Sequence, residues 1–205
     1  GRATGALPGQ TAAGNADAFV RKYAPSGDVL WTRQFGTAAF DAPMLNGVAA
    51  HTTGVYLAGI TEAAVPGATP GDGEDISLTR LDRQTGQVLW IRQFGTRGLQ
   101  FRSSIGGVTV DDTGVYVAGI RLIGDIAQSV VRRYDFDGNV IWSRQLEGAG
   151  ACVPTFWGAS AHGGSLYVIG QWNEDYFNGA FYFQDGAGAT PFAQVWSIQP
   201  PLPGA

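Results

Sequence analysis

Short stretches of alternating apolar and polar residues recur along the chain, separated by Gly-, Pro- and Asp-containing breaks. That is the period of strands joined by tight turns, not of helices. Asp17 to Tyr23 and Val29 to Phe35 flank Pro25-Ser26-Gly27-Asp28, which predicts a hairpin with Gly27 at positive φ. Gly47 to His51 and Val55 to Ile60 flank Thr52-Thr53-Gly54, and 75–82 and 87–95 flank Gln84-Thr85-Gly86. The same order returns with Gly107 to Asp111, Val115 to Ile120, Gln128 to Tyr134 and Asn139 to Gln145 around Asp137-Gly138. A more divergent copy runs through Gly158 to His162, Leu166 to Gly170, Gly179 to Gln184 and Phe192 to Gln199. Pro200-Pro201-Leu202-Pro203 ends regular structure.

These runs are copies of one unit. Trp31-Thr32-Arg33-Gln34-Phe35-Gly36 returns as Trp90-Ile91-Arg92-Gln93-Phe94-Gly95, as Trp142-Ser143-Arg144-Gln145-Leu146 and, more faintly, as Trp196-Ser197-Ile198-Gln199. The tryptophans are 59, 52 and 54 residues apart. Four short strands per unit, here called a to d, at this period predict an all-β chain built as part of a β-propeller. The expected layout is a half blade at 1–36, blades at 47–95, 107–146 and 158–199, and a Pro-rich tail at 200–205. Gly1 aligns with Gly59, so the first residues read as the tail of a strand b. The open ends of such an arc expose edge strands, which predicts a longer parent chain or a partner subunit covering them. A simple ring of two copies is the lesser expectation, because two c–d half blades would leave each junction without an a–b pair.

The repeated residues have structural reasons. A small twisted sheet cannot bury both faces alone, but stacked blades cover one another. Tyr56, Tyr116 and Tyr167 on strand b, and Trp31, Trp90, Trp142 and Trp196 on strand d, are expected between blades. Each indole N–H then needs a partner, which a neighbouring turn carbonyl can supply. Gly59, Gly119 and Gly170 are expected where strand b bends or a backbone approaches closely.

Asp17-Ala18-Phe19-Val20-Arg21-Lys22-Tyr23, Gly27-Asp28-Val29-Leu30-Trp31-Thr32-Arg33-Gln34-Phe35-Gly36, Gly47-Val48-Ala49, Val55-Tyr56-Leu57-Ala58-Gly59 and Leu7-Pro8-Gly9 together resemble the bacterial seven-bladed β-propeller repeat (SBBP) family. The resemblance covers most of residues 1–147 and fades beyond. It implies a bacterial, exported or surface-associated propeller, and it carries no catalytic residues. Leu81-Asp82-x-x-Thr85-Gly86-x-x-x-Trp90 is also similar to the tryptophan-docking repeat of quinoprotein (PQQ-type) propellers, which include dehydrogenases and non-enzymatic scaffolds. Only one of the four copies carries the full Asp-x-x-Thr-Gly pattern, and it is the weaker resemblance.

Composition narrows the chemistry. Net charge is -4 with no basic run, which argues against a phosphate-tracking nucleic-acid surface. No apolar run approaches the length of a membrane helix. The N-terminal residues lack the basic, apolar, small-residue order of a secretion signal, as expected of a chain that begins inside a repeat. The single cysteine, Cys152, excludes an internal disulfide and has no basic neighbour in sequence to activate it. His51, Asp111 and His162 fall at the same place, the end of strand a, in successive units. They read as polar rim residues rather than a metal or catalytic set. Asp72 and Asp75 are weak calcium candidates, since they match no calcium loop and Asp75 shares a repeat position with Asp17. No other cofactor is expected.

What remains is the face bearing the long b–c and d–a loops, 61–74, 96–106, 147–157 and 171–178. Phe101, Arg102, Phe156, Trp157, Trp172, Tyr176 and Phe177 lie there and form the candidate binding surface. The expected role is a non-enzymatic binding or scaffold module of a bacterial surface or secreted protein, recognising a protein or glycan. A structural subunit of a surface layer or filament is one alternative. A quinoprotein-like dehydrogenase fragment is the other.

Overall fold

A computed structural model describes residues 1–65, 75–94, 104–123, 126–146, 153–173 and 196–198. The described residues are all-β, with no helix long and apolar enough to cross a membrane. In chain order the strands are β1 (Arg2–Ala3), β2 (Asp17–Tyr23), β3 (Val29–Phe35), β4 (Asp41–His51), β5 (Gly54–Thr61), β6 (Asp75–Leu81) and β7 (Val88–Phe94). They continue as β8 (Ser104–Asp111), β9 (Gly114–Ile123), β10 (Ile126–Tyr134), β11 (Val140–Leu146), β12 (Val153–His162), β13 (Ser165–Asn173) and β14 (Trp196–Ile198). They form four antiparallel sheets, β1-β2-β3, β4-β5-β6-β7, β8-β9-β10-β11 and β12-β13-β14, with each strand beside its sequence neighbour.

The repeat extends to the register. Tyr56 faces Arg80 in the second sheet, and Tyr116 faces Arg133 in the third. Lys22, Arg80 and Arg133 face Trp31, Trp90 and Trp142, and each of the three ladders shifts register at the next residue. β1 reproduces the end of β5, since Arg2 faces Ala18 as Ile60 faces Ile76. The turns after β2, β6 and β10 each hold a left-handed glycine, Gly27, Gly86 and Gly138, with φ of 91°, 69° and 81°. A residue with a Cβ is strained there, so the turn chemistry read from sequence governs these hairpins.

Successive sheets pack face to face. Alternation along the strands gives the third sheet two apolar faces, and each of them meets a neighbour. Tyr56, Ala58, Ile76 and Leu78 of the second sheet bury against Val108, Val115, Val117 and Tyr134 of the third. The opposite face of the third sheet, with Tyr116, Ala118 and Val131, buries against Leu166 and Val168 of the fourth. β8 lies against both β4 and β12, so the first strands of the last three sheets adjoin. Tyr56 packs on Trp90 with ring centroids 6.2 Å apart, and Tyr116 on Trp142 at 6.1 Å, spacings at which aromatic pairs attract.

Three expectations need correction. Tyr167 is 41% exposed rather than packed between sheets, because among the described residues no sheet follows the fourth. Trp196 does not stand on a fourth strand of its sheet. β14 pairs directly with β13, where strand c sits in the second and third sheets, and so covers backbone groups that β13 would otherwise present unpaired. β4, β8 and β12 begin well before Gly47, Gly107 and Gly158. Their ladders shift register between Pro43 and Val48, between Ile105 and Gly107, and between Phe156 and Gly158. A bulge lets such a strand continue past a break that reads in sequence as its start. Gly59, Gly119 and Gly170 pair with Pro43, Ile105 and Phe156, the residues at which those shifts begin.

Candidate functional site

One end of the stack carries the short turns, and their polar groups join the sheets. Trp31 Nε1 donates to the Arg83 carbonyl at 3.4 Å, and Trp90 Nε1 to the Phe136 carbonyl at 3.1 Å. Lys22 Nζ and Arg80 Nη1 reach the same two carbonyls, at 2.9 and 2.6 Å. Arg33 Nε donates to the Gly86 carbonyl at 3.0 Å, and Arg92 Nε to that of Gly138 at 2.9 Å. The glycines admit these contacts. A Cβ on Gly86 would lie 2.7 Å from the Trp31 ring, and one on Gly138 2.9 Å from Arg92 Nε. Trp142 is the third such indole, and among the described residues its buried N–H has no hydrogen-bond partner.

The rim residues at the end of strand a belong to the same system. His51 Nε2 lies 3.0 Å from Asp112 Oδ1 in the next sheet, and its ring stacks on Phe136 at 5.5 Å. Asp111, at the equivalent position, accepts the Gly164 N–H of the following sheet at 2.8 Å. Burial pushes the Asp111 carboxyl up, but hydrogen bonds from Thr113 and Gly164, with Arg133 nearby, hold it below its ordinary value. His162 is exposed.

At the other end, a clamp that the sequence reading did not identify fixes the roots of the b–c loops. Gln34 Nε2 donates to buried Asp17 at 2.7 Å and to the Gly5 carbonyl at 3.1 Å, while its Oε1 accepts the Leu7 N–H at 2.9 Å. Gln93 does the same with Asp75 at 2.7 Å, the Ala63 carbonyl at 3.2 Å and the Val65 N–H at 2.8 Å. A carboxamide offers both donor and acceptor, so one side chain ties the carboxylate at the start of strand c to both senses of the loop backbone. Repetition of Asp and Gln at matching positions was the available signal. Asp75 is therefore a buried partner of Gln93, and Asp72 lies outside the described residues.

Between the first and second sheets at this end lies a cleft of about 140 Å³. Phe35, Leu57 and Ile91 give it apolar walls, and Thr37, Asp41 and Thr79 bring polar groups. Asp41 is buried and accepts from Thr37 N at 2.5 Å and Thr37 Oγ1 at 2.7 Å. A Cβ on Gly36 would lie 2.7 Å from Asp17 Oδ1 and 2.9 Å from Asp41 Oδ2, so the two carboxylates approach there because residue 36 is glycine. Cofactor pockets commonly enclose ~300–1,000 Å³. A cleft of this size suits a side chain or a single sugar better.

Of the candidate binding residues, Phe101, Arg102, Tyr176 and Phe177 lie outside the described residues. Phe156, Trp157 and Trp172 were expected in loops but stand on paired strands. Phe156 faces Gly170, Trp172 faces Pro154, and Trp157 is the extra residue where the β12–β13 register shifts. The hairpin thus brings these three onto adjacent strands, at the end away from the β12–β13 turn. No protein-family model matches the chain, and no curated protein matches it.

Proposed function

We propose that the four sheets are successive blades of a β-propeller arc, and that the chain is a non-enzymatic binding module of a bacterial surface or secreted protein. The repeated register, the adjoining first strands and the recurring turn contacts support the arc. One observation carries the binding role: the same Asp–Gln clamp holds the root of the b–c loop in two sheets, at Asp17–Gln34 and Asp75–Gln93. Loops rooted this firmly on packed sheets lose less entropy when they engage a ligand. The turn end is taken up by contacts between sheets, which leaves the long-loop end for recognition. Trp157 and Trp172 are of a residue type whose rings stack on sugars, and the ligand is a glycan or a protein segment.

The test is a glycan array probed with the native chain and with a Trp157→Ala/Trp172→Ala double variant whose circular dichroism matches the native spectrum. Binding by the native chain that the variant loses supports the glycan arm. A blank array, or binding that the variant retains, overturns it.

A further inference from the structure

The seam between the first and second sheets and the seam between the second and third use matching positions but fill them differently. In the later seam Phe94 pairs with Ile76 on its own sheet. The guanidinium of Arg132, from the third sheet, covers the Phe94 ring, with Cζ 4.2 Å from the centroid. Arg132 immediately precedes Arg133, the partner of Trp142, as Thr79 precedes Arg80, the partner of Trp90. In the earlier seam Phe35 takes the place of Phe94, and Ala18, which pairs with it, takes that of Ile76. Thr79 takes the place of Arg132.

Two side chains are thus smaller than their counterparts, and both line the cleft of about 140 Å³ described above. At this level β2 is paired on both sides, with β1 at Arg2 and with β3 at Phe35, so the cleft lies between two paired sheets. The polar lining sets the charge of a guest. Asp41 is 6% exposed, and both of its bonds from Thr37 fall on Oδ2. Among the described residues no donor bonds its Oδ1, and the hydroxyl of buried Thr79 has no partner either. No lysine or arginine among the described residues lines the cleft to balance the carboxylate. A buried carboxylate favours an opposite charge beside it.

We propose that this cleft binds an alkylguanidinium, the side chain of arginine, in the place that Arg132 fills one seam later. The guanidinium stacks on the Phe35 ring as that of Arg132 stacks on Phe94. Its N–H groups go to Asp41 Oδ1 and the Thr79 hydroxyl, and its methylenes lie against Leu57 and Ile91. Arginine suits the cleft better than lysine, because a planar and weakly hydrated cation can stack and hydrogen-bond at once. The site is separate from the hairpin of Trp157 and Trp172, and it stands whether or not that hairpin binds a glycan.

The probe is N-acetyl-L-arginine methylamide, titrated into the full 205-residue chain and read from the methyl NMR shifts of Leu57 and Ile91. Saturable shifts with a Kd of ~1 mM are expected for one side chain. The citrulline analogue, neutral and of similar shape, should bind about tenfold more weakly. Asp41→Asn should weaken the arginine probe by about tenfold. Thr79→Arg supplies the guanidinium from within and should abolish binding. Ala18→Ile, which restores the packing of the later seam, should abolish it too and serves if Thr79→Arg does not fold. Free L-arginine, titrated alongside, separates the sources. Tighter binding of the blocked form identifies an arginine in a partner polypeptide, and tighter binding of the free form identifies the amino acid. Equal binding of the citrulline analogue, unchanged affinity in Asp41→Asn, retained binding in a folded filled variant, or no saturable shift at ~10 mM would each overturn the proposal.

Discussion

Trp90 and Arg92, two residues apart on β7, reach consecutive parts of one turn in the next sheet: the indole N–H bonds the Phe136 carbonyl and the guanidinium bonds the Gly138 carbonyl. Trp31 and Arg33 repeat this on the turn holding Arg83 and Gly86. The turn glycine therefore meets two demands, a left-handed backbone and room for the side chains docked on it.

Those demands can be separated. Gly27 has a φ of 91° but open space where a Cβ would go, while Gly138 has a φ of 81° and Arg92 in the way. Gly27→Ala should cost about 1–2 kcal/mol, the backbone term alone. Gly138→Ala should cost about 1 kcal/mol or more beyond that, because the docked hydrogen bonds are displaced. Urea midpoints of the two variants check this, and equal losses would show that docking adds nothing.

Gln93→Ala should destabilise the chain by about 2–4 kcal/mol, since it strips a donor from the buried Asp75 carboxylate and frees the loop root at Val65. Hydrogen exchange of the Val65 amide should rise locally. Gln34→Ala should do the same at Leu7, whose N–H uses the matching bond.

Burial pushes the Tyr134 hydroxyl up to about 12 from an ordinary value of 10.0. A raised folded value means a contribution fully present below pH 10 and lost as the pH climbs towards 12. The loss should total about 2–3 kcal/mol. Tyr134→Phe should show a shallower fall in stability across that window, read from urea melts at stepped pH.

Asp111 gives the opposite slope. Its carboxyl is held below the ordinary value of 3.8, so its contribution is present above that pH and fades as acid carries it through the lower folded value. Asp111→Ala should flatten the acid limb of the stability curve and expose the Gly164 amide to exchange. An unchanged acid limb would mean that the contact between sheets carries no proton linkage.

His51 and Asp112 should couple weakly despite their 3.0 Å contact, because Asp112 is almost wholly exposed. A double-mutant cycle should give about 1 kcal/mol or less, shrinking with added salt. Stronger coupling would make the pair, not the Phe136 stack, the main tie at that rim.

Most of the sheet pattern was legible because its causes are local. Alternation fixes the strands, and turn glycines fix three hairpins, so β2–β3, β6–β7 and β10–β11 stand where the sequence puts them. The indole partners were also inferable, since a half-buried N–H needs a carbonyl and the next turn offers one. The long-range devices were not legible. Bulges opposite Gly59 and Gly119 let β4 and β8 run on beyond their apparent starts. The Gln34 and Gln93 clamps join residues 17 to 30 positions apart, and no periodicity argument ranks a polar glutamine in a strand as a tether. Tyr167 shares its repeat position with two fully buried tyrosines, yet its exposure depends on what lies beside it, which a repeat position does not specify.

The contacts between sheets at the turn end have a direction. Trp31, Arg33 and Lys22 of the first sheet reach forward to the turn of the second, and Trp90, Arg92 and Arg80 of the second reach forward to that of the third. On the ribosome, each sheet would therefore emerge with its donors unmatched and acquire acceptors only when the next hairpin leaves the exit tunnel. Maturation at these seams would then follow chain order, each newborn turn latching the unit made before it. A pause in translation between 94 and 135 would leave the second sheet waiting longest, with Trp90 and Arg92 open to solvent or to a chaperone.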